Sequence, residues 1–297
     1  MEGRPEELFE LLEQLGKGSF GSVYKARHRP SGTIVAVKVI PLTGEDEEGL
    51  EDMRREIALL QECVHPNVVR YFGSFMGDDY LWIVMEHCGG GSVRDVLDAT
   101  KSPLTEPQIA YVCGEALKGL ASLHARQRTH GAGGPASIRR GRDGRVKLAG
   151  AGFGLEGPAQ YVAPELKGKA TKTPEGDVWA LGQALFAAAS GRFCARQLGG
   201  EPKLDSPYSA DAAALVLHAS RRDPELRATA MFLLDAPCII QREWPFPPKL
   251  TAAVNTALGP PAETEEDRMA LVERAMAAPV PPPREGSKKF LDEVFDK

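Results

Sequence analysis

Apolar positions alternate with polar ones through the first hundred residues and change to a helical period after Thr105. Ser22-Val23-Tyr24-Lys25-Ala26 and Thr33-Ile34-Val35-Ala36-Val37-Lys38-Val39-Ile40 are β-branched runs separated by Pro30-Ser31-Gly32, a pattern that predicts a hairpin. Leu11-Leu12-Glu13-Gln14-Leu15 leads into a glycine cluster, and Val68–Phe72 and Leu81–Met85 predict two more strands. Between them Met53, Ile57, Leu60 and Cys63 or Val64 fall at helical spacing, with His65-Pro66-Asn67 as the stop. After Thr105, Ile109, Val112, Ala116, Leu117, Leu120 and Leu123 form one apolar stripe. Further helices are predicted at 174–190, 209–220 and 225–235. The segment Arg192 to Tyr208 is poor in apolar pattern and is expected to loop. After Gln241 the chain turns proline-rich, with a short helix expected near 263–277.

Composition narrows the class without naming an activity. The 297 residues are 42% hydrophobic and 26% charged, which is ordinary globular usage. A net charge of −5 argues against nonspecific nucleic-acid binding and gives no attraction to an acidic membrane. No run approaches the roughly 18 apolar residues that span a bilayer, and Met1-Glu2-Gly3-Arg4-Pro5 does not read as a signal peptide. Five scattered cysteines without a CxxC pair fit a reduced, cytoplasmic protein with no zinc site.

The chemistry enters at Gly16-Lys17-Gly18-Ser19-Phe20-Gly21-Ser22-Val23, a GxGxxGxV run between two strands. Val35-Ala36-Val37-Lys38 follows on the next strand and Glu56 on the next helix. Backbone amides of such a hairpin can cover phosphates, and a lysine paired to a helix glutamate can hold them. With these motifs the sequence resembles the eukaryotic protein kinases. Leu81-Trp82-Ile83-Val84-Met85-Glu86-His87-Cys88-Gly89-Gly90-Gly91-Ser92-Val93 looks like the hinge of the Ste20-type branch, and Glu7–Leu12 and Arg227-Ala228-Thr229-Ala230 resemble its Hippo/MST-like members. The resemblance implies an α+β, two-lobed kinase-like domain over 8–240. Residues 8–88 would be a β-rich N-lobe with one main helix. Residues 89–240 would be a helical C-lobe shortened in its activation segment and peripheral helices, and 241–297 a tail. It also implies a nucleotide site of Gly16, Gly18, Gly21, Val23, Ala36, Lys38 and Glu56, with Met85 as gatekeeper and Glu86 to Cys88 facing adenine.

The expected catalytic loop departs from the family pattern. His130 matches, but Gly131 stands for the arginine that would answer a segment phosphate, and Ala132 for the aspartate that would take the substrate proton. Gly134 stands for the lysine and Ser137 for the metal-binding asparagine. Gly150-Ala151-Gly152 occupies the Asp-Phe-Gly place. Magnesium takes hard oxygen ligands, which a glycine side chain lacks. Asp143 reads as a tight turn with Gly144, and Glu156 as loop. Arg139 and Arg140 read as a solvated strand edge, unless Arg139 turns into the purine slot. The segment Gly150–Glu165 contains no Ser or Thr, and Tyr161 is its only hydroxyl.

Other landmarks are kept. By resemblance Glu165 and Arg227 form a buried ion pair, and Asp177-Val178-Trp179-Ala180-Leu181-Gly182 starts a central helix. The expectation is therefore a catalytically inactive pseudokinase, acting as scaffold or allosteric partner of an active kinase or scaffold protein. It would need no cofactor, with ATP as a weak, magnesium-independent ligand. One alternative is a weak or unconventional ATP-dependent serine/threonine kinase. Another is a degenerate product without a stable role.

Overall fold

The computed structural model describes residues 5–18, 21–42, 57, 60–76, 79–131, 133–141, 145–150, 159–169, 171–191 and 202–240. These residues divide into two compact units, one of 5–62 with 70–87 and one of 63–69 with 88–240. The first is a β-rich N-lobe, the second a largely helical C-lobe. Glu56, Ala132, Ala151, Asp143, Glu156 and the tail 241–297, with its expected helix, lie outside the described residues.

The N-lobe is one antiparallel sheet of β1 (Phe9–Gly18), β2 (Gly21–His28), β3 (Ile34–Pro41), β4 (Tyr71–Met76) and β5 (Tyr80–Glu86), ordered β1-β2-β3-β5-β4. Alternation sends Tyr24, Ala26, Val35, Val37, Val39, Phe75, Trp82 and Val84 to one core with Phe9, whose ring meets Phe75 edge-on at 5.8 Å. β4 starts at Tyr71, later than the predicted run. Asn67 and Val69 are drawn instead to the second unit, where Leu148 N donates to Asn67 O at 2.8 Å and Val69 N to Leu148 O at 2.9 Å. Asn67 is fixed there by donating from Nδ2 to Glu115 Oε2 at 2.8 Å and to Val146 O at 2.9 Å.

His28, at the end of β2, is fully buried beside Phe9 and touches Ser31 Oγ through Nδ1 at 2.8 Å. Burial pushes its pKa below the ordinary value. A neutral buried imidazole must gain a proton on unfolding in acid, so stability present above the unfolded value of about 6.5 is lost as pH falls through it. Urea midpoints are expected to drop between pH 7.5 and 5.5, and His28→Phe should make that drop shallower. An equal slope in the variant would remove His28 as the cause.

The C-lobe contains α1 (Val93–Thr100), α2 (Glu106–His124), α3 (Pro174–Ser190), α4 (Ala210–Ala219), α5 (Ala230–Leu234) and α6 (Pro237–Ile240), with a two-stranded ribbon of β6 (Ile138–Arg140) and β7 (Val146–Leu148). The predicted helix at 174–190 is α3. Thr173 Oγ1 accepts from Gly176 N at 3.1 Å and Pro174 opens the first turn, while Gly191 closes the helix with φ +64°. α1 was not foreseen, although its capping box is in the sequence. Asp95 N donates to Ser92 Oγ at 3.1 Å and Ser92 N to Asp95 Oδ2 at 2.7 Å. The expected helix over 225–235 breaks into a 3-10 turn, Pro224–Leu226, and α5, because Arg227 between them is extended. Of the expected loop 192–208, the described part ends on Tyr208, whose hydroxyl lies 2.7 Å from the carbonyls of both Leu104 and Ala189.

Candidate functional site

In the N-lobe, register decides which predicted residues share a face. Val23 lies opposite Lys38, Gly16 opposite Val23, and Ala36 opposite Met85. Directly opposed residues of an antiparallel pair point the same way, and positions 36 and 38 share a side. Gly16, Val23, Ala36, Lys38 and Met85 therefore lie on one face, away from the core of Val35, Val37 and Val39. Lys38 is 4% exposed and lies opposite Val23 on β2 and Ile83 on β5. The face suits a flat apolar ring beside Val23, Ala36 and Met85, with a cation next to it.

The glycines divide by role. Nothing lies within 4 Å of where a Cβ on Gly16 would stand, so the strand is open there. Gly21 has φ +135°, and its Cβ would overlap the Val39 carbonyl. Its absence of a side chain serves the β2–β3 contact. Gly18 pairs with Gly21 at the hairpin end. Glu86 is turned the other way and buried, accepting from Arg70 N at Oε2 (3.2 Å). Its carboxylate holds the chain end of β5. Cys88 is half-buried just beyond it.

In the C-lobe, the loop 130–137 is held by its surroundings. Asp177 of α3, 5% exposed, accepts from His130 N at Oδ2 (2.7 Å), from Gly131 N at Oδ1 (2.7 Å) and contacts His124 Nε2 at 2.9 Å. His130 is buried, and burial lowers its pKa despite the Asp177 charge. Ser137 N donates to Gly134 O at 3.0 Å, and Ala149 N to Ser137 O at 2.8 Å. The Tyr161 ring covers Gly134, whose Cβ would stand 3.2 Å from Tyr161 Cδ2. Tyr161 is 4% exposed and packs with Ala180 and Ala187, so its role is packing.

The Glu165–Arg227 pair forms as expected. Arg227 Nη1 donates to Glu165 Oε1 at 2.6 Å and Nη2 to Oε2 at 3.1 Å, the two-pronged geometry of guanidinium and carboxylate. Nη1 also donates to Glu175 O and Nε to Arg221 O, and the guanidinium sits 5.1 Å from the Trp179 ring. Burial pushes Glu165 up, but the Arg227 hydrogen bond and charge outweigh it and leave its pKa lowered.

The ribbon corrects one expectation. Arg140 is no solvated edge: it is 2% exposed, because Ile138 and Arg140 share the inward side of β6. Burial lowers its pKa, opposed by the nearby Tyr111. Arg139 takes the outward side, with Nη1 3.9 Å from Asp95 Oδ2 on α1.

For a metal the residues fit poorly. Position 137 offers a hydroxyl and position 150 no side-chain donor. Among the described residues no group of three or more His, Cys, Asp or Glu could hold an ion. No described helix is long and apolar enough to cross a membrane.

Comparison with known proteins adds what geometry alone does not. Residues 9–131 match the protein kinase domain family. The chain is 48% identical over 199 residues (63% of the chain, 24% of the relative) to serine/threonine-protein kinase 1 of Arabidopsis thaliana. Similarity extends to serine/threonine-protein kinases dst1 and dst2 of Dictyostelium discoideum. The first is 41% identical over 63% of the chain and 27% of the relative, the second 37% over 79% and 23%. The chain thus spans about a quarter of the length of these curated relatives. These findings overturn one expectation from the sequence. The reading as an inactive, non-enzymatic pseudokinase gives way, because the relatives are named for serine/threonine kinase activity and the frame around the loop is intact. The Ste20-type assignment is a separate matter: the relatives' names carry the serine/threonine class and no branch, so the comparison supports the kinase family and not that finer placement.

Proposed function

We propose that the chain, similar to the protein kinase domain family over residues 9–131, belongs to that family and is an ATP-dependent serine/threonine protein kinase of weak or unconventional catalysis. The observation that carries the reading is the single sheet face bearing Gly16, Val23, Ala36, Lys38 and Met85, which suits a purine beside a phosphate-binding cation. The kinase domain runs over 8–240 on this reading. Gly16, Gly18, Gly21, Val23, Ala36, Lys38, Glu56, Met85 and the Glu86–Cys88 backbone form its nucleotide site.

Phosphoryl transfer gains its rate chiefly from positioning and charge stabilisation rather than from covalent chemistry by the protein. In the N-lobe the charge for this is Lys38; in the C-lobe Asp177 separately fixes the amides of His130 and Gly131. Ala132 offers no proton acceptor, and Ser137 and Gly150 offer no carboxylate to magnesium. A slow reaction follows, with ATP held weakly and without dependence on the metal.

The test is transfer of labelled γ-phosphate from ATP to serine- and threonine-containing peptides by the purified chain. Lys38→Met is expected to lower the rate by about tenfold or more. Equal rates in the variant, or no transfer above a heat-inactivated control, would overturn the reading. Thermal shifts on adding ATP should be of similar size with and without magnesium.

A further inference from the structure

Gly131 leaves room beside the catalytic loop, and a side chain from another element fills it. Gly131 has φ +71°, and a Cβ there would overlap Lys172 Cδ and stand 2.9 Å from Lys172 Nζ. Lys172 lies just ahead of α3 and lays its stem across the loop backbone. Its charge reaches His130, whose proton affinity it lowers. The half-buried Lys172 makes no ion pair or hydrogen bond among the described residues. Lys167 and Lys169, both exposed, precede it. Three lysines within six residues, in a chain of net charge −5, form a local basic rim with Lys172 as its innermost member. The only acid in 164–173 is Glu165, and Arg227 occupies it.

We infer that Lys172 is a specificity-determining residue which selects peptide substrates bearing an anionic side chain, a carboxylate or a phosphate, beside the acceptor residue. The inference rests on the kinase reading and names the substrate class of that site. An ammonium held against the loop, with no acid of its own, gains most from a partner that brings the negative charge. The peptide is assigned as the source of the anion: 150–165 contains no Ser or Thr, its one hydroxyl, Tyr161, is buried, and of its two acids Glu165 is held by Arg227 while Glu156 lies outside the described residues. Lys167 and Lys169, being exposed, add attraction that salt screens; Lys172, packed against Gly131, is screened less.

The experiment measures binding before catalysis. Fluorescent peptides identical but for Asp, phosphoserine, Ala or Lys beside a serine are titrated by anisotropy with the full chain, with Lys172→Met, which keeps the stem over Gly131, and with Lys172→Arg. Wild type is expected to bind the Asp and phosphoserine peptides about three- to tenfold more tightly than the Ala peptide. Lys172→Met should erase that ratio with the Ala-peptide affinity unchanged, and Lys172→Arg should restore it. A larger ratio for phosphoserine than for Asp identifies phosphate as the preferred source, the reverse order carboxylate. Equal binding of all four peptides by wild type, or a ratio that survives Lys172→Met, would overturn the inference. The same peptides in the transfer assay should show the preference in KM with kcat unchanged. Selective binding without transfer would leave the inference standing and refute the kinase reading.

Discussion

Arg227→Ala is expected to lower the free energy of unfolding by about 3–5 kcal/mol, the cost of stripping one partner from a buried ion pair. The guanidinium is fully buried and makes more than the pair. It ties Glu165 to the carbonyls of Glu175, Arg221 and Arg222 and stacks near Trp179. Truncation leaves those oxygens and a carboxylate without their donor. Urea unfolding reads the effect as a midpoint shift at constant slope. An unchanged midpoint would show that water replaces the guanidinium at no cost. Arg227→Lys should recover only part of the loss, since an ammonium cannot form two parallel bonds to Glu165.

Asp177→Asn is the second large effect. The carboxylate accepts from the amides of His130 and Gly131, each at 2.7 Å, and meets His124 on its third side. Asparagine has one oxygen, so one backbone amide would face an NH2 group instead. Hydrogen bonds to a charged group contribute roughly 1.5–3 kcal/mol each, and a loss of about 3 kcal/mol is expected. Hydrogen exchange locates it: the amides of His130 and Gly131 should exchange faster by at least about tenfold, while those of the N-lobe sheet stay unchanged. Uniform acceleration across both lobes would mean that Asp177 supports the whole fold rather than the loop.

Much of the frame could be read from pattern, and the reasons are local. α3 announced itself through Thr173-Pro174 at one end and Gly191 at the other, and the β2–β3 hairpin through β-branched alternation. The shared face of Ala36 and Lys38 was legible because period-two alternation alone puts them on one side, though it could not tell that Gly21 serves strand packing. Position 140 misled, because a strand of three residues between glycine-rich stretches carries too little alternation to show which arginine turns inward. α1 was missed for a similar reason, its capping box being hidden within a hinge-like run. The activity was misjudged by weighting Ala132 and Gly150 above everything outside the loop. Lys172 was missed because its link to Gly131 spans 41 positions and carries no motif.

The loop's path and its chemistry are written in different places. Asp177 fixes the backbone at 130 and 131 from α3, so the side chains carried by the loop can be exchanged without redrawing its course. That makes the loop a place where substitutions can be compared on one backbone. An aspartate at 132 and an asparagine at 137 would start from a backbone whose anchor is already in place. Not every position is equally open to rewriting. A side chain at 133 would collide with Ala180, whereas one at 131 would meet the movable end of Lys172 and be resisted chiefly by a backbone at φ +71° that favours glycine.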